Sequence, residues 1–232
     1  MTRIPDFTAA LEAARAARRG QPWRLVATGG RMDVLLDPDD ESRQARLTGG
    51  AAVLSGQLVL AAAGYAATAV FLPDRERPEL LATLSVRARS RPGAVDSALA
   101  QALDGRRAHT PLPSVFGAAA REGAELIPLG VSCLPGEETV HSGQLMVLSS
   151  FADSPHAQLR AGCALQRVLL TAIAQGAPAR LVPSPEKIVD LQHALRERLG
   201  GWLNPQAVLE FEAAPMPPAQ RRPANVRGRQ PV

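Results

Sequence analysis

The chain has 232 residues, of which 46% are hydrophobic and 3% aromatic, and a formal net charge of +4. That apolar share is ample for one large domain or two small fused ones, with a core built from Ala, Leu and Val. So few aromatics offer no base-stacking platform, and with Lys187 the sole lysine among 26 basic residues the arginine excess reads as composition bias; nucleic acid is not the expected partner.

Two thiols, Cys133 and Cys163, stand in no metal-like spacing and imply an intracellular protein without a disulfide framework. The N-terminal stretch lacks a signal-type apolar core, and the longest apolar run, Val53–Ala63, is interrupted by Ser55, Gly56 and Gln57. It is too short for a membrane span, so a cytoplasmic protein without a membrane partner is expected.

In chain order, Thr8–Arg19 reads as an Ala-rich helix ended by Gly20. Trp23–Thr28 and Met32–Leu36 read as strands joined by a Gly29-Gly30 hairpin turn. Gly50–Gly64 follows as an apolar helix, then a strand Ala66–Leu72 stopped by Pro73, a short helix Glu79–Leu84 and a strand Leu84–Arg89. A Pro- and Gly-containing link, with a helical patch over Asp96–Leu103, runs to Pro113.

The order then starts again, with a helix Ser114–Arg121 and strands Glu125–Leu129 and Gln144–Ser149. The helix Ala161–Gly176 has Leu165, Val168, Leu169, Ala172 and Ile173 on one face. Gly162 and Gln166 share that arc, and Arg160, Arg167 and Thr171 lie opposite. A strand Ala179–Val182, a charged helix Pro185–Leu199 and a strand Ala207–Glu212 complete the set.

The restart is the most informative feature. Gly50–Gly64 and Gly162–Gly176 are glycine-bracketed helices, each leading into a strand halted by proline (Pro73, Pro183). Two similar halves in one chain predict a pseudo-twofold arrangement, a homodimer fused into a monomer, with or without further dimerisation. The expected division is 1–98, 99–212 and a Pro/Arg-rich arm 213–232.

Gln21-Pro22-Trp23-Arg24-Leu25 after the first helix resembles the flavin-contacting segment of the nitroreductase superfamily. The stretch from Gly162 through Gln166 to Gly176 resembles that superfamily's central helix, and Asp37-Pro38, Gly50-Ala51-Ala52, Leu72-Pro73, Gly105-Arg106-Arg107, Pro205-Gln206 and Arg221-Arg222-Pro223 fall in the order of its Acg-type branch of fused halves. The resemblance implies an α+β, nitroreductase-like fold, a mostly antiparallel sheet flanked by helices in two pseudo-symmetric halves. It implies FMN at the interface of the halves, NAD(P)H as electron donor and a small-molecule substrate, with the flavin supplying the redox chemistry. The cofactor-binding candidates are then Arg18, Arg19, Gln21, Trp23, Arg106, Arg107, Gln166, Gly176, Arg221 and Arg222, with no metal and no assigned catalytic residue.

The chain also departs from that pattern. Arg15-Ala16-Ala17-Arg18-Arg19-Gly20 stands where the family carries a hydroxyl and an amide for flavin, Ala108 breaks the arginine run after Arg106-Arg107, and Pro178 follows the central helix closely. These losses point to a second function class, a non-catalytic, flavin-free relative that sequesters a ligand or pairs with a partner protein.

Overall fold

A computed structural model describes residues 23–37, 42–136, 138–182 and 185–212. The predicted helix Thr8–Arg19, the arm 213–232 and the candidates Arg18, Arg19, Gln21, Arg221 and Arg222 lie outside the described residues.

Strands β1 (Trp23–Thr28) and β2 (Arg31–Leu36) form the expected hairpin, with both turn glycines at positive φ, 58° and 84°. A two-residue hairpin turn of this hand needs that conformation at both positions. Helix α1 (Arg43–Ala62) follows, then β3 (Tyr65–Phe71) and β4 (Leu80–Arg89). Helices α2 (Ala94–Ala102) and α3 (Val115–Arg121) lead to β5 (Glu125–Pro128) and β6 (Gln144–Ser150). Helix α4 (Pro155–Gln175), β7 (Ala179–Leu181), α5 (Pro185–Arg198) and β8 (Asn204–Phe211) complete the described chain.

The architecture is α+β. Two antiparallel four-stranded sheets have the orders β1-β2-β4-β3 and β5-β6-β8-β7. Each places its first hairpin beside a returning pair in which the last strand is central. Bulges interrupt the ladders at Val34/Leu35, Ala66/Ala67 and Leu148/Ser149.

Three sequence expectations are corrected. The predicted helix Glu79–Leu84 is instead a turn residue, Glu79, followed by strand from Leu80, because β4 pairs with β2 on one side and β3 on the other and Leu80, Ala82 and Leu84 are buried in the first sheet. Helix α1 starts at Arg43, not Gly50, with Ser42 capping it through Ala45 N at 3.1 Å. Helix α4 starts at Pro155, capped by Ser154 through Ala157 N at 3.2 Å, with proline at the first helical position, where its missing N–H costs nothing. Its end is as expected: Gly176 is a left-handed cap at φ 74°. The boundary drawn between residues 98 and 99 falls inside α2, whose Ala98, Leu99 and Ala102 are buried.

The core has three parts. Leu25, Met32, Val34, Leu54, Leu58 and Leu84 pack between the first sheet and α1, joined by Leu159, Cys163, Leu170 and Ala174 of α4. Val115, Met146, Leu148, Val168, Leu209 and Phe211 pack between the second sheet, α3 and α4. Under α5, Leu134, Leu145, Val147, Ile188, Leu195 and Val208 cover the other face of the second sheet. Every residue of β8 is therefore buried, whereas β3 alternates between half-buried and exposed.

Helices α1 and α4 meet at two glycines. A Cβ on Gly50 would stand 2.0 Å from Leu159 O, and one on Gly162 would stand 2.0 Å from Leu47 O. Only a residue without Cβ permits backbones this close. Helix α1 is long and apolar enough to cross a membrane, but 67% of that stretch is buried inside the protein, and it serves as a core helix. With α1, α2, α3 and both sheets around it, α4 has no free side, so Arg167 and Thr171, expected to face outward, are buried.

Candidate functional site

Of the sequence-derived candidates that the structure describes, Arg107 and Gly176 lie together, while Trp23, Gln166 and Arg106 each make contacts of their own. Trp23 Nε1 donates to Thr48 Oγ1 at 3.0 Å, tying the first strand to the start of α1. Gln166 Nε2 donates to Ser55 Oγ at 3.2 Å across the seam between α1 and α4, and that hydroxyl donates on to Ala51 O at 3.0 Å. Gln166 is thus a polar register pin between the two long helices, and its distance from Trp23 along α1 is set by the seven positions between Thr48 and Ser55.

Arg107 lies against Gly176, its guanidinium carbon 2.8 Å from where a Cβ would stand, and Ala108 N donates to Ala174 O at 2.9 Å. Arg107 therefore lies at the carbonyl end of α4, where a cation complements the helix dipole. Arg106 is 62% exposed in its side chain and pairs with Asp104 at 3.2 Å, beside a shallow groove of about 430 Å³ between α1 and α2. Ser114 Oγ accepts from Gly117 N at 3.2 Å, so the first turn of α3 is already capped from within.

A different place gathers unbalanced chemistry. Two adjoining depressions of about 280 and 270 Å³ run along α1 between β3, α2, α3 and α4, sharing Gln57, Ala67 and Arg167. Arg167 is 7% exposed. Its Nε donates to Glu122 Oε1 at 2.7 Å, but its Nη1 has no hydrogen-bond acceptor, and Asp96 Oδ1 stands off at 3.8 Å. A buried donor without an acceptor is costly, more so when it carries charge.

Three further arginines line the cleft. Arg91 and Arg121 make no ion pair with another described residue, and Arg160 reaches Glu122 at 3.9 Å. Four arginines thus face two carboxylates. The first turn of α2 opens on the same cleft: Gly93 is its N-cap, no side chain hydrogen-bonds it as a cap, and Asp96 is the one acidic residue of that turn. Uncapped helix N-termini leave backbone N–H groups without intrahelical partners. Leu54, Leu58, Tyr65 and Pro92 supply apolar wall.

Cys163 borders the cleft but is chemically quiet. Burial pushes its thiol up to about 12, and its Sγ donates to Gly50 O at 3.1 Å. A thiol so held carries almost no thiolate at neutral pH.

Elsewhere, Glu210 is a buried carboxylate on β8. It accepts from Gly143 N at 2.9 Å, meets His141 Nδ1 at 3.0 Å and pairs with Arg180. This cluster ties the loop before β6 to the second sheet.

Nothing in the candidate residues of the sequence marked the cleft. Arg167 sat between Gln166 and Val168 in an apolar helix, and a charge there was the one available signal; helical periodicity alone assigned it to solvent. No protein-family model matches the chain, and no curated protein matches it.

Proposed function

We propose that this is a flavin-free binding protein, built from two similar halves joined in one chain, that sequesters a small ligand rather than reducing a substrate. The observation that carries this reading is the commitment of the described flavin candidates to internal contacts. The Trp23 indole N–H is taken by Thr48, the Gln166 amide by Ser55, and Gly176 is covered by the Arg107 guanidinium. Those contacts count against FMN: the Trp23 indole has its single N–H engaged, the Gln166 amide is engaged by Ser55, and the arginine placed against a helix lies at its negative end.

The joined halves are supported by the common strand order of the two sheets and by reciprocal contacts across the seam. Leu47 with Gly162 mirrors Leu159 with Gly50, both members shifted by 112 positions. The pseudo-symmetry breaks where Leu54 stands opposite Gln166 in that numbering and Ser55 opposite Arg167. The cleft is lined from both halves and depends on Arg167, whose counterpart in that numbering is Ser55. A cytoplasmic setting, with Cys133 and Cys163 not joined in a disulfide, is part of the same proposal.

The test is an absorbance spectrum of the purified protein, followed by FMN titration and an NAD(P)H oxidation assay with a quinone. A colourless protein that takes up no FMN and oxidises no NAD(P)H is the expected result. Flavin absorbance with steady turnover would return the FMN-dependent, nitroreductase-type oxidoreductase instead and overturn the proposal.

A further inference from the structure

We infer that the cleft beside Arg167 binds a small ligand made of an oxyanion, carboxylate or phosphate, on an apolar body. This names the ligand class for the binding reading above and rests on it. Three features point the same way, with Asp96 the carboxylate common to the first and the last of them. Arg167 is more than nine-tenths buried and its Nη1 lacks an acceptor. Arg91 and Arg121 line the same wall without an ion pair to another described residue. The α2 N-terminus reaches the cleft without a side-chain cap. Guanidinium groups and helix N-termini both suit an oxyanion, the first through paired N–H donors and the second through backbone N–H groups and the helix dipole.

Asp96 is the internal competitor. At 3.8 Å from Nη1 it balances Arg167 without hydrogen-bonding it, and an incoming oxyanion replaces that long contact with a short one. Glu122 does not compete, because its 2.7 Å bond to Nε holds the guanidinium in place from the other edge. The apolar wall of Leu54, Leu58, Tyr65 and Pro92 then receives the body of the ligand. The two depressions together fall within the size range of pockets for metabolite-sized molecules.

The experiment is a chemical-shift titration of the full-length protein with phenyl phosphate, benzoate, inorganic phosphate and benzyl alcohol. Phenyl phosphate and benzoate are expected to bind with a Kd on the order of 1 mM or below, inorganic phosphate more weakly and benzyl alcohol not measurably. Arg91→Gln with Arg121→Gln, both on the cleft rim, weakens phenyl phosphate about tenfold, and Asp96→Asn tightens it about threefold. Arg167→Gln abolishes binding where it folds; the rim variants and Asp96→Asn decide the matter where it does not.

Equal binding of benzyl alcohol overturns the oxyanion, equal binding of inorganic phosphate overturns the apolar body, and no saturable binding up to about 10 mM overturns the site. Flavin absorbance defeats the functional reading whatever the titration returns. A colourless protein that binds none of the probes defeats only this inference.

Discussion

Glu210 shows how one buried residue couples charge to the stability of one end of a sheet. Burial opposes its ionisation, but the Gly143 amide, the His141 ring and the Arg180 guanidinium outweigh that cost and hold its carboxyl below the usual glutamate range. A carboxyl depressed on folding adds stability that is complete above its unfolded value, about 4.3, and is lost as pH falls through the lower folded value. Denaturant unfolding from pH 7 downward should therefore show a steeper acid loss in the wild type than in Glu210→Gln. Parallel acid limbs for the two proteins would remove Glu210 from the account. Asp153 works in the same direction at the other end of the sheet. Its burial is outweighed by Gln158, Gln192 and Arg43, which tie the starts of α1 and α4 and the α5 helix together.

At the scale of elements, the decisive contact is the seam between α1 and α4. A methyl group at Gly50 or Gly162 would meet a backbone carbonyl oxygen at 2.0 Å, and backbone cannot swing aside as a side chain can. Gly50→Ala and Gly162→Ala should each cost about 3 kcal/mol or more, the upper end of overpacking, in urea unfolding. Gly56→Ala is the comparison. Its Cβ would meet the ends of Met32 and Leu84 at 2.8 and 3.2 Å, flexible groups that can move, so a loss of about 1 kcal/mol is expected. Costs at Gly50 and Gly162 as small as that at Gly56 would mean that the two helices can move apart to admit a methyl group.

The same seam explains what was legible at this scale. Gly162 and Gln166 were recognisable as an approach point and a polar pin because they break an apolar face. The true start of α1 was not, since Gly49-Gly50 has the local chemistry of a loop and only the neighbour α4 makes glycine the right residue inside that helix. Likewise Leu80–Leu84 has no local feature that separates strand from helix; pairing to β2 and β3 on both sides decides it.

For the whole molecule, α4 contributes Leu159, Cys163, Leu170 and Ala174 to the core of the first sheet while Ala164, Leu165 and Val168 serve the second. Neither sheet keeps its core without that helix, so the protein should unfold in one transition. Trp202→Phe leaves Trp23, on the first sheet, as the only tryptophan. Its fluorescence melt should share a midpoint with the far-ultraviolet circular dichroism of both halves. Two separated midpoints would mean that the halves are independent domains.

The α+β class was an implication of the resemblance; the residues by themselves determined the hairpin at Gly29-Gly30, the end of α4 at Gly176 and the extent of α3 from Ser114 to Arg121. Each is a local matter, written in turn chemistry, capping residues and hydrophobic period over a few neighbouring positions. Only the tertiary structure decided which face of α4 is outside, because a helix enclosed by five neighbours has no outside, and so Arg167 entered the core. It also decided where donors are left over. Trp23 and Gln166 look available in the sequence and are occupied in the fold by Thr48 and Ser55, whereas Arg167 looks solvated and keeps a buried N–H without an acceptor. Hydrogen-bond satisfaction is a property of what packs together from distant parts of the chain, and that is the property on which the cleft depends.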